Sequence, residues 1–345
     1  MTDFRNPDLT DAPAEHPFAQ YVRILGKGPN LSRPLTGEET EAAVRMILRG
    51  EVEPVQIGAF LCLLRVKTET PEEVAGFVRG IRAELALPPG LPTVDLDWPT
   101  WAGKGRQLPW YLLAALLLAE TGVRVFLHGA EGHTGPRLYA SRAFQVLGLP
   151  VAGNWDEVAA HLAADNIAYA PLPVLSPRLA ELMTLKSLLG VRSPLHTVGR
   201  CLNPLGAPAQ MLSVTHPPYL AVHQDAARRL GQPRLAVFKG EGGEAERRPQ
   251  KPCTVHTLRD GVTGTEDWPA LTAAPLAAKD EVMDASRLTK VWRGTDADPY
   301  AHLSVIGTAA VALKLIGRAA TLPEAEAQAA ALWESRRRDR LPGPA

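Results

Sequence analysis

The sequence predicts an α/β fold: a small N-terminal helical domain over residues 18–88, then a larger C-terminal α/β domain over residues 93–345 with a mostly parallel sheet. Three observations predict it. Apolar residues recur at helical spacing from Ala19 to about Arg82. The stretch Leu87-Pro88-Pro89-Gly90-Leu91-Pro92 then breaks that pattern. Beyond it, short strand-like runs alternate with helical ones. Such alternation favours a parallel sheet covered by helices. A chain of 345 residues has room for two packed units at ~100–200 residues each.

Each element has a local reason. Residues 1–17 are acidic and proline-rich and read as a flexible tail. Thr36-Gly37-Glu38-Glu39 opens a helix with a capping box, Ala43, Met46 and Ile47 give it an apolar face, and Gly50 stops it. Pro54 starts a buried helix through Ile57, Phe60, Leu61 and Leu64. Thr70-Pro71-Glu72-Glu73 starts another, with Thr70 as cap and Pro71 at its first position. After the break, strands are expected at Thr93–Leu96, Val123–His128, Ala168–Pro171, Met211–Thr215 and Arg234–Phe238. Helices are expected at Trp110–Thr121, Pro136–Leu147, Leu179–Leu189, Tyr219–Leu230, Leu303–Ile316 and Pro323–Arg337.

Composition narrows the function classes. With 46% hydrophobic and 21% charged residues the chain is of ordinary globular type. Its formal net charge is zero, so any affinity for nucleic acid must come from a local patch. Cys62, Cys201 and Cys253 are widely spaced, which argues against a disulfide framework or a zinc site and fits a reducing compartment. The start lacks the pattern of a signal peptide, and the apolar run Trp110–Ala119 is too short for a bilayer. A cytoplasmic protein is expected.

Three long segments carry a resemblance. LTGEETEAAVRMILRGEVEPVQIGAFLCLLRVKTETPEEVAGFVRGIR resembles the N-terminal dimerisation region of the anthranilate phosphoribosyltransferase family, glycosyltransferase family 3. LLGVRSPLHTVGRCLNPLGAPAQMLSVTHPPYL is similar to the family's LGxRTxFNxLGPLxNP segment with its following strand and helix. WRGTDADPYAHLSVIGTAAVALKLIGRAATLPEAEA is similar to its closing helix pair. The resemblance implies a fold shared with pyrimidine nucleoside phosphorylases, a homodimer formed through the helical domain, and a substrate cleft between the domains.

The motifs that carry the family's chemistry are altered. Where a GTGGDG loop would cradle diphosphate with its backbone amides, this chain has Trp101-Ala102-Gly103-Lys104-Gly105-Arg106-Gln107. The Asn-x-Ser-Thr helix start falls on Leu108-Pro109-Trp110-Tyr111, and proline has no N–H to offer. KHGNR becomes Leu127-His128-Gly129-Ala130-Glu131, losing both cations. The DGLDE-like Mg²⁺ sequence becomes Gly240-Glu241-Gly242-Gly243-Glu244-Ala245-Glu246-Arg247-Arg248, with Ala245 in place of a carboxylate. The acceptor-contacting arginine falls on Lys186, which keeps the charge and loses the planar fork.

Ordinary anthranilate phosphoribosyltransferase activity is therefore not expected, and no catalytic residue can be assigned. No metal site is expected, with Mg²⁺ as cofactor only if transferase activity is retained. The resemblance implies anion contacts at Gly103, Lys104, Gly105, Arg106, His128 and Gly129; read on its own, His128 is a packed strand-end residue. The gained cations Lys104, Arg106, Arg247 and Arg248 lie close to Trp101, Trp110 and Tyr111, and Arg228, Arg229 and Lys239 add to them. Cations beside rings suit single-stranded nucleic acid, binding phosphates and stacking bases. A divergent branch of the family associated with nucleic-acid binding is also similar at Ser193, His196, Thr197, Ser213, Val214, His216, Pro217 and Tyr219. The expected partners are thus a second copy of the chain and single-stranded nucleic acid or another polyanion, with no membrane. An active glycosyl- or phosphoribosyltransferase of altered donor or acceptor is a second reading, and a nucleotide-sensing or structural dimer a third.

Overall fold

A computed structural model describes residues 14–132, 134–277, 279–280 and 282–342. The flexible tail expected over residues 1–17 lies, up to residue 13, outside the described residues. Four helices form the N-terminal domain: α1 (Ala19–Gly26), α2 (Gly37–Leu48), α3 (Pro54–Lys67) and α4 (Pro71–Ala83). Both expected threonine caps form reciprocal pairs. The Glu39 amide donates to Thr36 Oγ1 at 3.1 Å while the Thr36 amide donates to the Glu39 carboxylate at 2.8 Å, and Thr70 and Glu73 repeat the arrangement. Helices α2 and α4 then pack closely, Gly76 and Gly80 lying against Thr40 and Val44.

The second domain is built on a seven-stranded sheet of order β3-β2-β1-β4-β5-β6-β7. Strands β1 (Leu96–Pro99), β2 (Val125–Gly129), β3 (Ile167–Pro171), β4 (Ala209–Val214) and β5 (Arg234–Lys239) are parallel, and β6 (Cys253–Arg259) and β7 (Val262–Trp268) extend the edge as an antiparallel hairpin. Between them run α5 (Tyr111–Ala119), α6 (Ala140–Val146), α7 (Trp155–Asp165), the short helices α8 (Leu172–Leu175), α9 (Pro177–Met183), α10 (Lys186–Leu189) and α11 (Leu195–Val198), and α12 (Tyr219–Arg229). Helices α13 (Arg287–Arg293), α14 (Pro299–Leu315) and α15 (Leu322–Ser335) close the chain.

Successive strand residues divide between two cores, as a period of two requires. Leu96, Trp98, Val125, Leu127 and Met211 join the fully buried α5 and the body of α14. Phe126, Ala168, Leu212 and Val237 face the other way, into a core continuous with the helical domain. Among the described residues no helix is long and apolar enough to cross a membrane.

Several expectations shift. The first strand lies at Leu96–Pro99, three residues later than expected, because Asp95 caps the turn by accepting from the Arg124 amide at 2.8 Å. The single helix expected at Leu179–Leu189 is α9 plus α10, bent through Thr184 and Leu185. Helices α7 and α13 and the β6–β7 hairpin were not anticipated.

Candidate functional site

The loop after β1 and the segment after β5 meet outside the carboxyl ends of the parallel strands, where α/β sheets place their ligands. Their meeting is unusual in what fills it. Glu244 Oε1 accepts from the Ala102 and Gly103 amides at 2.8 and 2.6 Å. Glu246 Oε2 accepts from the Tyr111 amide, in the first turn of α5, at 2.9 Å. Its other oxygen accepts from Lys104 Nζ at 2.8 Å and from Gln107 Nε2 at 3.0 Å. Two carboxylates of the chain thus sit on the loop amides and the helix N-terminus, the groups that suit an external anion.

The segment after β5 can reach that far because of its glycines. A Cβ at residue 240 would lie 1.7 Å from the Glu244 carbonyl oxygen, and Gly243 has a φ of 90°. Burial pushes the Glu244 carboxyl above its usual range, against the two amides that stabilise its charge. Burial pulls the Lys104 ammonium down, against the attraction of Glu246.

Several predicted site residues are therefore corrected. Lys104, expected as an anion and nucleic-acid contact, is fully buried, and its ammonium also donates to the Glu241 carbonyl at 2.7 Å. Arg247 is fully buried too, bonded to Glu326 at 2.7 Å and stacked on Trp268. Gly103 donates to Glu244. His128 is buried with Nε2 3.1 Å from Asp97 Oδ1, and Gly129 is pressed on the Thr100 backbone, where a Cβ would lie 1.8 Å from the carbonyl oxygen. The His-Gly pair has a packing role here. Trp110 and Tyr111 are core residues, so neither offers a ring to a ligand. Arg248 pairs with Glu241, and Arg228 and Arg229 both pair with Asp225, at 2.6 and 2.9 Å. Gly105, Arg106 and Lys239 are exposed. Glu241, Glu244 and Glu246 are each committed to a partner, so the residues present do not fit a Mg²⁺ site, and no group of three metal-ligating side chains occurs among the described residues.

A further group of cations lies in two neighbouring cavities. One of about 180 Å³ is lined by Trp101, Arg137, Arg192, His196, Arg200 and Thr215. The other, of about 140 Å³, shares Arg192, His196, Arg200 and Thr215 and adds Arg65 of α3, His216 and Tyr219. Arg137 donates to the Ala102 and Gly103 carbonyls at 2.9 and 3.2 Å, Arg192 to Thr134 Oγ1 at 3.2 Å, and Arg200 to the Ser213 and Gly243 carbonyls at 2.5 and 3.3 Å. Each is held by a neutral acceptor, and among the described residues none of the three forms a salt bridge. Burial, with Arg192, Lys186 and Arg200 around it, lowers the His196 imidazole to about 4.

Arg65, Arg192 and Arg200 were not singled out in the sequence, whereas Arg137 was noted there as a cation near the altered KHGNR stretch. A signal existed at Arg200, which stands where the quoted LGxRTxFNxLGPLxNP pattern has proline. For Arg65 and Arg137 no motif pointed to the cleft.

Lys186, expected as the acceptor-site position, lines a separate cavity of about 460 Å³ together with Glu131, Met183 and Thr184. Glu131 accepts from the Tyr169 hydroxyl at 2.6 Å and the Ser141 amide at 2.9 Å, so it is fixed in that wall. A carboxylate-bearing acceptor would meet another carboxylate there.

Comparison with known proteins gives a consistent result. Residues 19–84 match the helical bundle domain of the glycosyl transferase family. The anthranilate phosphoribosyltransferase of Methylocella silvestris is 31% identical over 310 residues, 86% of each chain. That of Oleidesulfovibrio alaskensis is 33% identical over 230 residues, 66% of this chain and 69% of the other. Among solved structures, anthranilate phosphoribosyltransferase from Thermus thermophilus superposes with a TM-score of 0.78 at 24% identity, covering 93% of this chain and 95% of that one. The Saccharomyces cerevisiae enzyme in complex with PRPP and Mg gives 0.74 at 16% identity, over 93% and 94%.

Proposed function

The chain belongs to the anthranilate phosphoribosyltransferase family, and from that premise we propose that it is a member whose donor cradle is closed by its own carboxylates and whose anion binding has moved to the arginine cleft. One observation carries the reading: the loop amides and the α5 N-terminus are bonded to Glu244 and Glu246. Phosphoribosyl transfer depends on positioning the donor and neutralising its leaving diphosphate. A diphosphate approaching this loop would meet two buried carboxylates rather than free N–H groups. The fixed Glu131 similarly disfavours a carboxylate acceptor beside Lys186.

The ligand proposed for the cleft is single-stranded nucleic acid, bound without regard to sequence. Arg65, Arg137, Arg192 and Arg200 supply charge for phosphates, and Tyr219, half-buried in the cavity wall, supplies a ring for a base. Exposed Arg106 and Lys239 extend the positive rim in this proposal. A homodimer through the helical domain belongs to the same reading, supported by the exposed apolar side chains of Val55 and Val66 on α3, 78% and 83% accessible.

Thermal denaturation with two ligands tests the proposal. A single-stranded oligonucleotide raises the melting temperature, and phosphoribosyl diphosphate with Mg²⁺ leaves it unchanged. The reverse pattern would return the chain to active transferases with an altered donor loop.

A further inference from the structure

The two cavities of the cleft differ in a way that specifies which part of a strand each would hold. The first is walled by Ala102, Gly242 and the buried Trp101. Three guanidiniums converge on it, each fixed at one nitrogen by a carbonyl or hydroxyl oxygen. Glu244, the carboxylate that acts most on Arg200, is bonded to the loop amides instead. An internal phosphodiester carries one negative charge. A terminal phosphomonoester carries about −1.5 to −2 near neutral pH and three free oxygens. A small, walled cavity with three positive charges suits the second far better than the first. The adjoining cavity, with exposed Arg65 and His216 and the Tyr219 ring, has the character of a path for the sugar, base and next phosphate.

We propose that the cavity lined by Trp101, Arg137, Arg192, Arg200 and Thr215 takes the terminal phosphomonoester of a single strand, so that the protein holds polynucleotide ends in preference to strand interiors. This rests on the nucleic-acid reading above and adds to it the part of the polymer recognised. The oxygens of the phosphate would accept from the unengaged guanidinium nitrogens, as charge-assisted bonds of the strongest neutral-pH kind.

The test uses the full chain and one internally labelled oligothymidine in three forms: 5′-phosphorylated, 3′-phosphorylated, and with hydroxyls at both ends. One phosphorylated form is expected to bind at least about tenfold tighter than the unphosphorylated strand, the scale of one or two charged hydrogen bonds. Arg192→Gln, at an exposed position that should fold normally, is expected to lower affinity for that form at least about fivefold more than for the unphosphorylated strand. Arg137→Gln serves as a second variant with the same expectation. Equal affinity for all three forms would overturn the end-binding proposal while leaving nucleic-acid binding intact. No binding of any form would overturn both. Competition by a nucleoside monophosphate as effective as by the phosphorylated strand would assign the cavity to free mononucleotides and overturn the polymer assignment.

Discussion

Glu246 shows how much of the local structure one side chain can hold together. Its two oxygens satisfy a helix N-terminus, a buried ammonium and a glutamine, and neither is accessible to solvent. Removing it leaves the buried Lys104 side chain without its counter-charge, so Glu246→Ala is expected to destabilise by about 3–5 kcal/mol in urea unfolding. A loss under about 1 kcal/mol would mean the pair contributes little. His223 provides a second test at this scale. It is buried with Nδ1 3.1 Å from Cys201 Sγ, and burial lowers it to about 3, with Arg200 adding to the effect. The folded protein thus keeps His223 neutral while the unfolded chain protonates it near pH 6.5. Its contribution to stability is present above that pH and is lost as pH falls towards 3. His223→Gln is expected to lose less stability than the native chain between pH 7 and pH 5, measured by urea midpoints at each pH.

At the scale of elements, what could be read from the sequence was what is local. Thr36 and Thr70 announce their helices because cap and capped residues are three apart. Thr70→Ala is expected to cost about 1 kcal/mol in the same unfolding measurement, since it removes an amide's acceptor at the start of α4. The β6–β7 hairpin was legible too and was passed over. Asp260-Gly261 has both φ values positive, 47° and 85°, and separates two runs of alternating residues, a recognised signal for a two-residue turn. The site itself was legible only in part. Departures from the family's motifs could be named from residue types, but the pairing of Glu244 with Gly103, 141 residues apart, depends on two loops meeting at the sheet end. The same distance problem misassigned Lys104 and Arg247: the sequence shows a cation and hides its burial.

Across the whole molecule, a net charge of zero conceals an uneven distribution. Arg45 and Arg49 share Glu84, Arg228 and Arg229 share Asp225, and Arg287 has three aspartates, whereas Arg137, Arg192 and Arg200 of the cleft rest on neutral acceptors. Arg65 comes from the helical domain and Arg192 and Arg200 from the α/β domain, so the positive cleft exists only because the two pack together. The measurement that tests this account most directly is fluorescence anisotropy of a labelled single-stranded oligonucleotide over a salt series, for the native chain and for Arg65→Glu with Arg192→Glu. The account predicts that log affinity falls linearly with log salt, with a slope of about −2 to −3 for three or four phosphate contacts, and that the double variant loses at least about tenfold in affinity and lowers the slope by one or more. Binding that is independent of salt, or unchanged in the double variant, would contradict it.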